Sequence, residues 1–113
     1  MRIRKFHVYS ADLNPKFGTE PGKTRPVVVI QTNLLNDVHP STVICPVTTN
    51  TQPKANVLRV HLRKGEAGLK KASDIIVDQI RAIDNQRFKK HLGVISEKNK
   101  KALSDNLKII VIE

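Results

Sequence analysis

Short apolar runs separated by turn-forming residues dominate this chain, and they constrain its fold more than any other feature. Residues 8–13, 26–31, 42–48 and 57–62 carry mostly apolar side chains, and polar clusters rich in turn-forming residues lie between them. Short runs bounded by turn signals are typical of β-strands, whereas alternating βαβ units need long amphipathic stretches between their strands. The pattern therefore predicts a mainly β fold with short helices.

The densest apolar stretch of the second half, residues 73–84, is also predicted to be a strand. Its alternation sets Asp78 between two isoleucines on one side and puts Gln79 and Arg81 on the other side. An unpaired carboxylate is costly to bury. Asp78 is therefore predicted either to pair with Arg25 or Arg81 or to have a functional role.

The C-terminal residues predict an amphipathic helix. Ser96 is a suitable N-cap, because its hydroxyl can accept a hydrogen bond from the first turn. Leu103, Leu107 and Ile110 fall on one face of this helix. Since the chain has 113 residues and neither an internal repeat nor a linker, it is predicted to form a single domain, residues 1–113.

The chain is strongly basic, with twenty Lys and Arg against ten Asp and Glu and a formal net charge of +10. Residues 1–62 hold eight basic and three acidic side chains and residues 63–113 hold twelve and seven, so each part contributes +5. The charge thus belongs to the fold and not to a detachable tail. Such a field attracts polyanions, and nucleic acid is the first candidate partner, followed by an anionic membrane.

Signals for export and for redox chemistry are missing from the sequence. The apolar residues 6–9 are soon followed by Asp12, and no run approaches the roughly eighteen apolar residues of a membrane span. A cytoplasmic location is therefore expected. The single cysteine, Cys45, lies in the apolar residues 43–47 and is predicted to be a buried strand residue, not a nucleophile.

One motif suggests nucleotide binding but does not fit it. Residues 18–24 read GTEPGKT, one residue short of the GxxxxGK[ST] loop that cradles phosphates. Such a loop opens a helix, so that backbone N–H groups converge on the phosphate, whereas the residues from Arg25 onward begin an apolar strand. The sequence thus argues against a nucleotide-binding loop.

The sequence contains no pair of histidines at i and i+4, no CxxC pair and no carboxylate cluster at ligand spacing. A metal-dependent nuclease therefore has little support, and no cofactor is expected. RNA can supply its own nucleophile, because the 2'-hydroxyl of a ribose can attack the neighbouring phosphate. The protein then needs to hold the strand in line, neutralise the developing charge and move protons. An arginine, a hydroxyl and one acid or histidine are enough.

Arg25, Thr48 and Thr49 are the first candidates for that chemistry. Arg25 stands where a polar loop enters a buried strand. A strand is a rigid element, so it can hold the guanidinium in place while that group donates two hydrogen bonds to phosphate oxygens. Thr48 and Thr49 present hydroxyls at the end of the next strand. Three alternatives stay open. Arg25 can be an ordinary surface residue, and the threonines can be turn residues. Two of the four histidines can also act as an acid–base pair, although their spacing indicates no shared face.

Three blocks occur in order: GTEPGKTRPVVVIQ at residues 18–31, STVICPVTT at residues 41–49 and SDIIVDQIRAID at residues 73–84. With VYSADLNP at residues 8–15 and the C-terminal helix, they closely resemble the MazF/PemK/Kid family of toxins. The resemblance implies an SH3-like, strongly bent β-barrel (PemK/CcdB-like) with a C-terminal helix, in a homodimer that cuts single-stranded RNA at short sequences. It also implies a separate MazE-like antitoxin, whose acidic, disordered tail wraps the dimer.

The resemblance also implies roles for individual residues. Arg25 matches the family's catalytic arginine, which would stabilise the phosphorane. Thr48 matches the family's catalytic hydroxyl, which would orient the scissile phosphate or the 2'-hydroxyl. Asp78 matches an acid proposed for proton transfer in some members, and water is the alternative. The residues expected to contact RNA are Glu20, Lys23, Thr49, Gln79 and Arg81.

The chain departs from the family at Phe6 and His7, where members usually carry glycine and then Asp or Glu. Those two residues help to shape the dimer and the groove, so the replacement bears on the active-site detail and on the sequence that is cut. A second function therefore stands beside the nuclease, namely a non-catalytic module on the same barrel that binds RNA or a protein partner.

Overall fold

A computed structural model describes residues 1–15, 18–19 and 23–113. They form seven β-strands: β1 (His7–Asp12), β2 (Thr24–Val29), β3 (Ser41–Thr48), β4 (Arg59–Leu62), β5 (Ser73–Ile76), β6 (Arg81–Asp84) and β7 (Phe88–Val94). The helix α1 (Glu97–Leu107) follows, with short 3₁₀ turns at Glu66–Gly68 and Asn85–Arg87 and a π-helical turn at Lys108–Ile112. Within these ranges, no helix has the length and apolar character that a membrane span requires.

The strands form one bent antiparallel sheet. They run in the order β4, β5, β3, β2, β1, β7, and β6 pairs with β3 outside this path. The first half of β3, Ser41 to Ile44, pairs with β6, while its end, Val47 and Thr48, pairs with β5. Because β3 changes partner along its length, the sheet bends there. The result is a mainly antiparallel, unclosed sheet with a C-terminal helix, in agreement with the predicted bent-barrel fold.

The sheet has an apolar core on each face, because side chains alternate along its strands. On β2, Val28 belongs to one core, while Val27 and Val29 belong to the other. Leu103 of α1 is fully buried in the first core, and the nearby Leu107 and Ile110 pack against it partly buried. The predicted apolar face of the helix is thus confirmed.

The start of α1 is fixed by hydrogen bonds. Ser96 Oγ accepts a hydrogen bond from Asn99 N at 3.2 Å, which confirms the predicted N-cap. The Glu66 carboxylate accepts further bonds from Asn99 Nδ2 at 2.8 Å and from Ser96 N at 3.1 Å. Burial alone would raise the pKa of Glu66, but the hydrogen bonds from Asn99, Ser96 and Arg63 lower it below its usual value.

Residues 73–84 form two strands and not the single strand that their alternation predicts. Residues 77–80 separate β5 from β6, and within this turn Gln79 N donates a hydrogen bond to Ile76 O at 3.2 Å. The turn leaves Asp78 exposed. The prediction of a carboxylate on an apolar strand face, between two isoleucines, is therefore wrong.

Cys45 is a fully buried residue of β3, as predicted. Its Sγ donates a weak hydrogen bond to Val77 O at 3.8 Å. Burial, with a smaller contribution from the Asp78 carboxylate, raises the pKa of the Cys45 thiol to about 12. The thiol thus stays protonated at neutral pH and serves as a small apolar group.

Candidate active site

A shallow pocket of about 190 Å³ lies where β2 begins and β3 ends. Its lining residues come from those two strands, from the first residue after β3 and from the start of β5: Thr24, Arg25, Pro26, Val47, Thr48, Thr49 and Ser73. Arg25 and Thr48, both predicted to be catalytic, thus share one pocket, together with Thr49. The pocket is smaller than the roughly 300 Å³ at which sites for drug-sized ligands begin. This size fits contact with one phosphate group and not the enclosure of a nucleotide.

The register of the sheet explains why Arg25 and Thr48 are neighbours. Val27 lies opposite Pro46 in the antiparallel pair of β2 and β3, so two residues further along each strand Arg25 falls opposite Thr48. On the other side of β2, Arg25 lies opposite the fully buried Ala11 of β1. The half-buried Arg25 side chain therefore starts from a backbone that is paired with β1, two residues before the point where β2 also pairs with β3.

Thr48 ends β3 with a half-buried side chain. Its Oγ1 accepts a hydrogen bond from Asn50 N at 3.1 Å, which fixes the side chain at the end of the strand. Accepting this bond does not use the hydroxyl proton, so the O–H can still donate to a phosphate oxygen. Thr49 is exposed at the start of the following loop.

The loop before β2 contributes one described candidate. Lys23 has an exposed side chain and a left-handed backbone, with φ of 65°. Its N donates to Asn14 Oδ1 at 2.7 Å and its O accepts from Leu13 N at 2.9 Å, so its backbone is fixed two residues before Arg25. Glu20, the acid expected in this loop, lies outside the described residues.

The other predicted residues lie on a different part of the sheet. Asp78 and Gln79 occupy the turn between β5 and β6, and Arg81 opens β6 opposite Ile44 of β3. None of the three is among the described residues that line the pocket. Arg81 Nη1 is buried and finds no hydrogen-bond partner within the described ranges. The structure thus brings Arg25, Thr48 and Thr49 together in one pocket, whose described lining does not include Asp78, Gln79 or Arg81.

A buried carboxylate beside the pocket is missing from the sequence-based candidates. Asp74 is fully buried in β5, where it lies opposite Thr48. Its Oδ2 accepts hydrogen bonds from Gln52 N at 2.7 Å and from Arg59 Nη1 at 3.1 Å, and its Oδ1 lies 2.7 Å from His61 Nδ1. The one sequence signal for this cluster is the alternation of β4, which sets Arg59 and His61 on the same face.

His7 and His91 form a contact that the sequence does not predict. His7 Nδ1 lies 2.9 Å from His91 Nε2, and the two ring centres are 5.1 Å apart. They meet because His91 lies opposite Tyr9 and the register of β1 and β7 shifts after Val8. The expectation that the histidines share no face is therefore wrong for this pair. In the described part of the chain, no group of three His, Cys, Asp or Glu side chains could hold a metal ion.

Phe6, which precedes His7, stands at the position where the family resemblance leads us to expect glycine. It has φ of 69°, a left-handed value that favours glycine and that a bulky residue rarely adopts. The chain thus keeps the backbone shape of a glycine position while it carries a large aromatic side chain. The half-buried Phe6 ring packs against the first apolar core.

We expect the histidine pair to make folding stability depend on pH. Burial first, and then the charges of His91, Lys100 and Arg4, lower the pKa of His7 below the usual histidine value of about 6.5. The unfolded chain therefore binds a proton at His7 more readily than the folded chain does, so stability falls as the pH drops below about 6.5. Below the folded-state pKa the loss stays constant.

Urea unfolding at a series of pH values from about 7.5 to about 5 measures this effect. The free energy of unfolding should fall over this range in the parent protein, and its slope should become shallower in His7→Gln. An equally steep slope in His7→Gln would contradict the assignment to His7.

Known proteins resemble this chain both in sequence and in fold. Residues 4–111 match the family described as PemK-like, MazF-like toxin of type II toxin-antitoxin system. A protein named Endoribonuclease MazF from Staphylococcus saprophyticus is 34% identical over 107 residues, which cover 95% of this chain and 89% of that protein. Another of the same name from Staphylococcus epidermidis is 37% identical over 95 residues, covering 84% and 79%.

Solved structures of low sequence identity have the same fold. The crystal structure of MazF (Form-I) from Deinococcus radiodurans superposes with a TM-score of 0.83 at 22% identity and covers 100% of this chain and 99% of that one. The family match spans all seven strands and the helix α1. The chain therefore belongs to the family of PemK-like, MazF-like toxins of type II toxin-antitoxin systems.

Proposed function

We propose that this protein is a toxin endoribonuclease that cuts single-stranded RNA at short, specific sequences without a metal ion. One observation carries the proposal: the half-buried Arg25, on a strand held from both sides, shares a small pocket with the hydroxyl of Thr48. The two staphylococcal relatives, both named Endoribonuclease MazF, support it because the chain aligns with most of their length.

In the proposed reaction the substrate supplies the nucleophile. The 2'-oxygen attacks the adjacent phosphorus, an O2'–P bond forms, and the bond from phosphorus to the 5'-oxygen of the next nucleotide breaks. The products are a 2',3'-cyclic phosphate and a 5'-hydroxyl. Arg25 donates two N–H groups to the non-bridging oxygens and stabilises the charge of the phosphorane, while Thr48 donates its O–H and orients the phosphate.

Two protons move in this reaction. One leaves the 2'-hydroxyl and one is added to the departing 5'-oxygen. A guanidinium does not release its proton near neutral pH, so Arg25 is not the base. The sequence leaves two proton acceptors open, Asp78 and water, and Asp78 is not among the described residues that line the pocket.

RNA binding is proposed to begin at the pocket and to draw on the overall charge. Thr49 lines the pocket and Lys23 is exposed two residues before Arg25, so both can contact the nucleotides that flank the scissile phosphate. Gln79 and Arg81 are proposed as contacts further along the strand on the basis of the family resemblance. Glu20 remains a proposed contact on the basis of the family resemblance.

The proposed protein partners are a second copy of this chain and a separate antitoxin. An apolar groove of about 400 Å³ between the sheet and the C-terminal turn supports a homodimer, since Phe6, Ile30 and Ile80 line it together with the exposed Ile112. Solved relatives titled as MazE-MazF from Deinococcus radiodurans support the antitoxin. An acidic antitoxin segment would complement the formal net charge of +10.

The test is a cleavage assay with the purified protein and a long single-stranded RNA in excess EDTA. We expect discrete fragments from the RNA and no cleavage of DNA of the same sequence, because DNA lacks the 2'-hydroxyl. A band shift without cleavage at any salt concentration would instead favour the non-catalytic RNA-binding module. Cleavage that EDTA abolishes would contradict the metal-independent reaction.

A further inference from the structure

The cluster around Asp74 holds a loop against the candidate active site. Asp74 is fully buried and lies opposite Thr48 in the pairing of β3 and β5. On its other side it lies opposite His61 of β4. Thr48, Asp74 and His61 therefore lie in one row across β3, β5 and β4, and continuing the register of β2 places Arg25 at the head of this row, in the same pocket as Thr48. The first two residues of this row belong to the proposed ribonuclease site.

The cluster contacts the loop of residues 49–58 at three places. Asp74 Oδ2 accepts the hydrogen bond of Gln52 N at 2.7 Å. Arg59 Nη1, which is paired with Asp74, also donates to Asn50 O at 3.0 Å. His61 Nε2 lies 2.9 Å from Ala55 O, while its Nδ1 faces Asp74. The Asp74 carboxylate thus holds the loop directly at Gln52, and through Arg59 and His61 at two further places.

A buried carboxylate with this set of partners does more than fill space. Burying a charge is costly unless it is paired and hydrogen-bonded, and an apolar side chain often gives equal stability at such a position. The contacts of Asp74 with Arg59, with His61 and with a loop amide offset this cost. The Arg59 and His61 side chains are 11% and 41% exposed. What the carboxylate adds over an apolar residue is a fixed loop geometry.

The loop itself has the character of a surface that contacts bases. Thr49, Asn50, Thr51, Gln52 and Asn56 are all exposed, and their side chains are uncharged donors and acceptors. Such side chains hydrogen-bond to the edges of unpaired bases. The loop begins directly after Thr48, so a shift of the loop also shifts the end of β3.

We propose that Asp74 is a positioning residue for RNA cleavage: it holds the loop of residues 49–58 as one wall of the RNA site and thereby fixes which nucleotide lies over Arg25 and Thr48. The proposal rests on the proposed ribonuclease function. Asp74 does not touch RNA, because its side chain is only 1% exposed and is used by protein partners.

The test compares Asp74→Asn with a matched control, Asp37→Asn. Asp37 also pairs with an arginine, Arg4 at 3.2 Å, and accepts a backbone hydrogen bond, from Ile3 N at 2.8 Å. It lies before the start of β3, at the opposite end of that strand from Thr48. Both changes therefore remove one charge and one ion pair, but only Asp74→Asn affects the loop of residues 49–58.

Cleavage of a long single-stranded RNA is measured well below the melting temperature of each variant, together with amide hydrogen exchange at Gln52. We expect Asp74→Asn to lower kcat/KM about tenfold, because a small displacement of the bound RNA from the catalytic groups slows the reaction. We also expect the variant to cut at related sequences that the parent leaves intact. Exchange at Gln52 should become faster. Asp37→Asn should keep the parent's cut sites, its kcat/KM and its exchange at Gln52.

His61→Ala is the second variant, for the case in which Asp74→Asn does not fold. The His61 side chain is 41% exposed, so its removal leaves the core intact while it frees Ala55 O. We expect added cut sites and a smaller loss of kcat/KM. Unchanged cut sites and rates in a folded variant, while the parent cleaves RNA, would overturn the role of Asp74. A parent protein that does not cleave RNA would overturn the proposed function, and this inference with it.

Discussion

Arg25→Ala is expected to cleave RNA at least about a hundredfold more slowly than the parent protein while it keeps its fold. Removing one preorganised donor to a developing oxyanion typically costs about 2.7 to 4 kcal/mol of transition-state stabilisation. Arg25 is assigned two such donors, and its half-buried position lowers the local screening by water. The loss should appear in kcat more than in KM, because the charge develops in the transition state.

Two further variants separate the geometry of Arg25 from its charge. Arg25→Lys keeps the positive charge but loses the planar fork, so its rate should lie between those of the parent and Arg25→Ala. Arg2→Ala removes one positive charge from an exposed residue outside the pocket and should cut RNA at close to the parent rate. An Arg25→Ala protein that cuts as fast as Arg2→Ala would rule out the assigned role.

Gly68→Ala is expected to cause the largest loss of stability, about 3 kcal/mol, from strain and steric overlap together. Gly68 has φ of 74°, and a Cβ built there would overlap the backbone carbonyl of Leu92 in β7. On the facing strand, a Cβ at Gly93 would lie 2.6 Å from the carbonyl carbon of Ala67. The turn and β7 approach so closely that neither backbone has room for a side chain.

Thermal unfolding measures the effect, and Gly65→Ala is the matched control. Gly65 also has a left-handed φ, of 91°, but a Cβ there would meet nothing within 4 Å. Gly65→Ala should therefore cost about 1 kcal/mol from strain alone. Gly68→Ala should lower Tm by about 10 °C or more. Equal losses in the two variants would show that the close approach to β7 does not matter.

The elements with a regular apolar pattern could be predicted from the sequence. Val27, Val29 and Ile44 lie in runs whose neighbours are also buried, so β2 and β3 stand out, and Leu103 identifies the inner face of α1. β7 could not be predicted in this way, because Lys89, Lys90 and His91 are exposed and interrupt its apolar pattern. The break between β5 and β6 does not follow from the pattern either, since residues 77–80 continue the apolar alternation although the chain turns there.

The candidate site could be predicted only in part. Arg25 and Thr48 match family motifs, yet their shared pocket depends on the register between β2 and β3, which no local pattern contains. The sequence does not single out Asp74 as a site residue. Its side-chain partners, His61 and Arg59, lie 13 and 15 residues before it in the sequence. The predicted burial of Asp78 is wrong, because it is inferred from a single strand over residues 73–84 that the chain does not form.

The chemistry of the new RNA ends tests the central claim most directly. The parent protein is incubated with a single-stranded RNA in excess EDTA, and both ends at each cut are identified by mass spectrometry. Attack by the 2'-hydroxyl predicts a 2',3'-cyclic phosphate, or the 3'-phosphate formed when it opens, and a 5'-hydroxyl on the following fragment. A 3'-hydroxyl with a 5'-phosphate would mean that an external nucleophile breaks the chain, and it would contradict the role assigned to the pocket of Arg25 and Thr48.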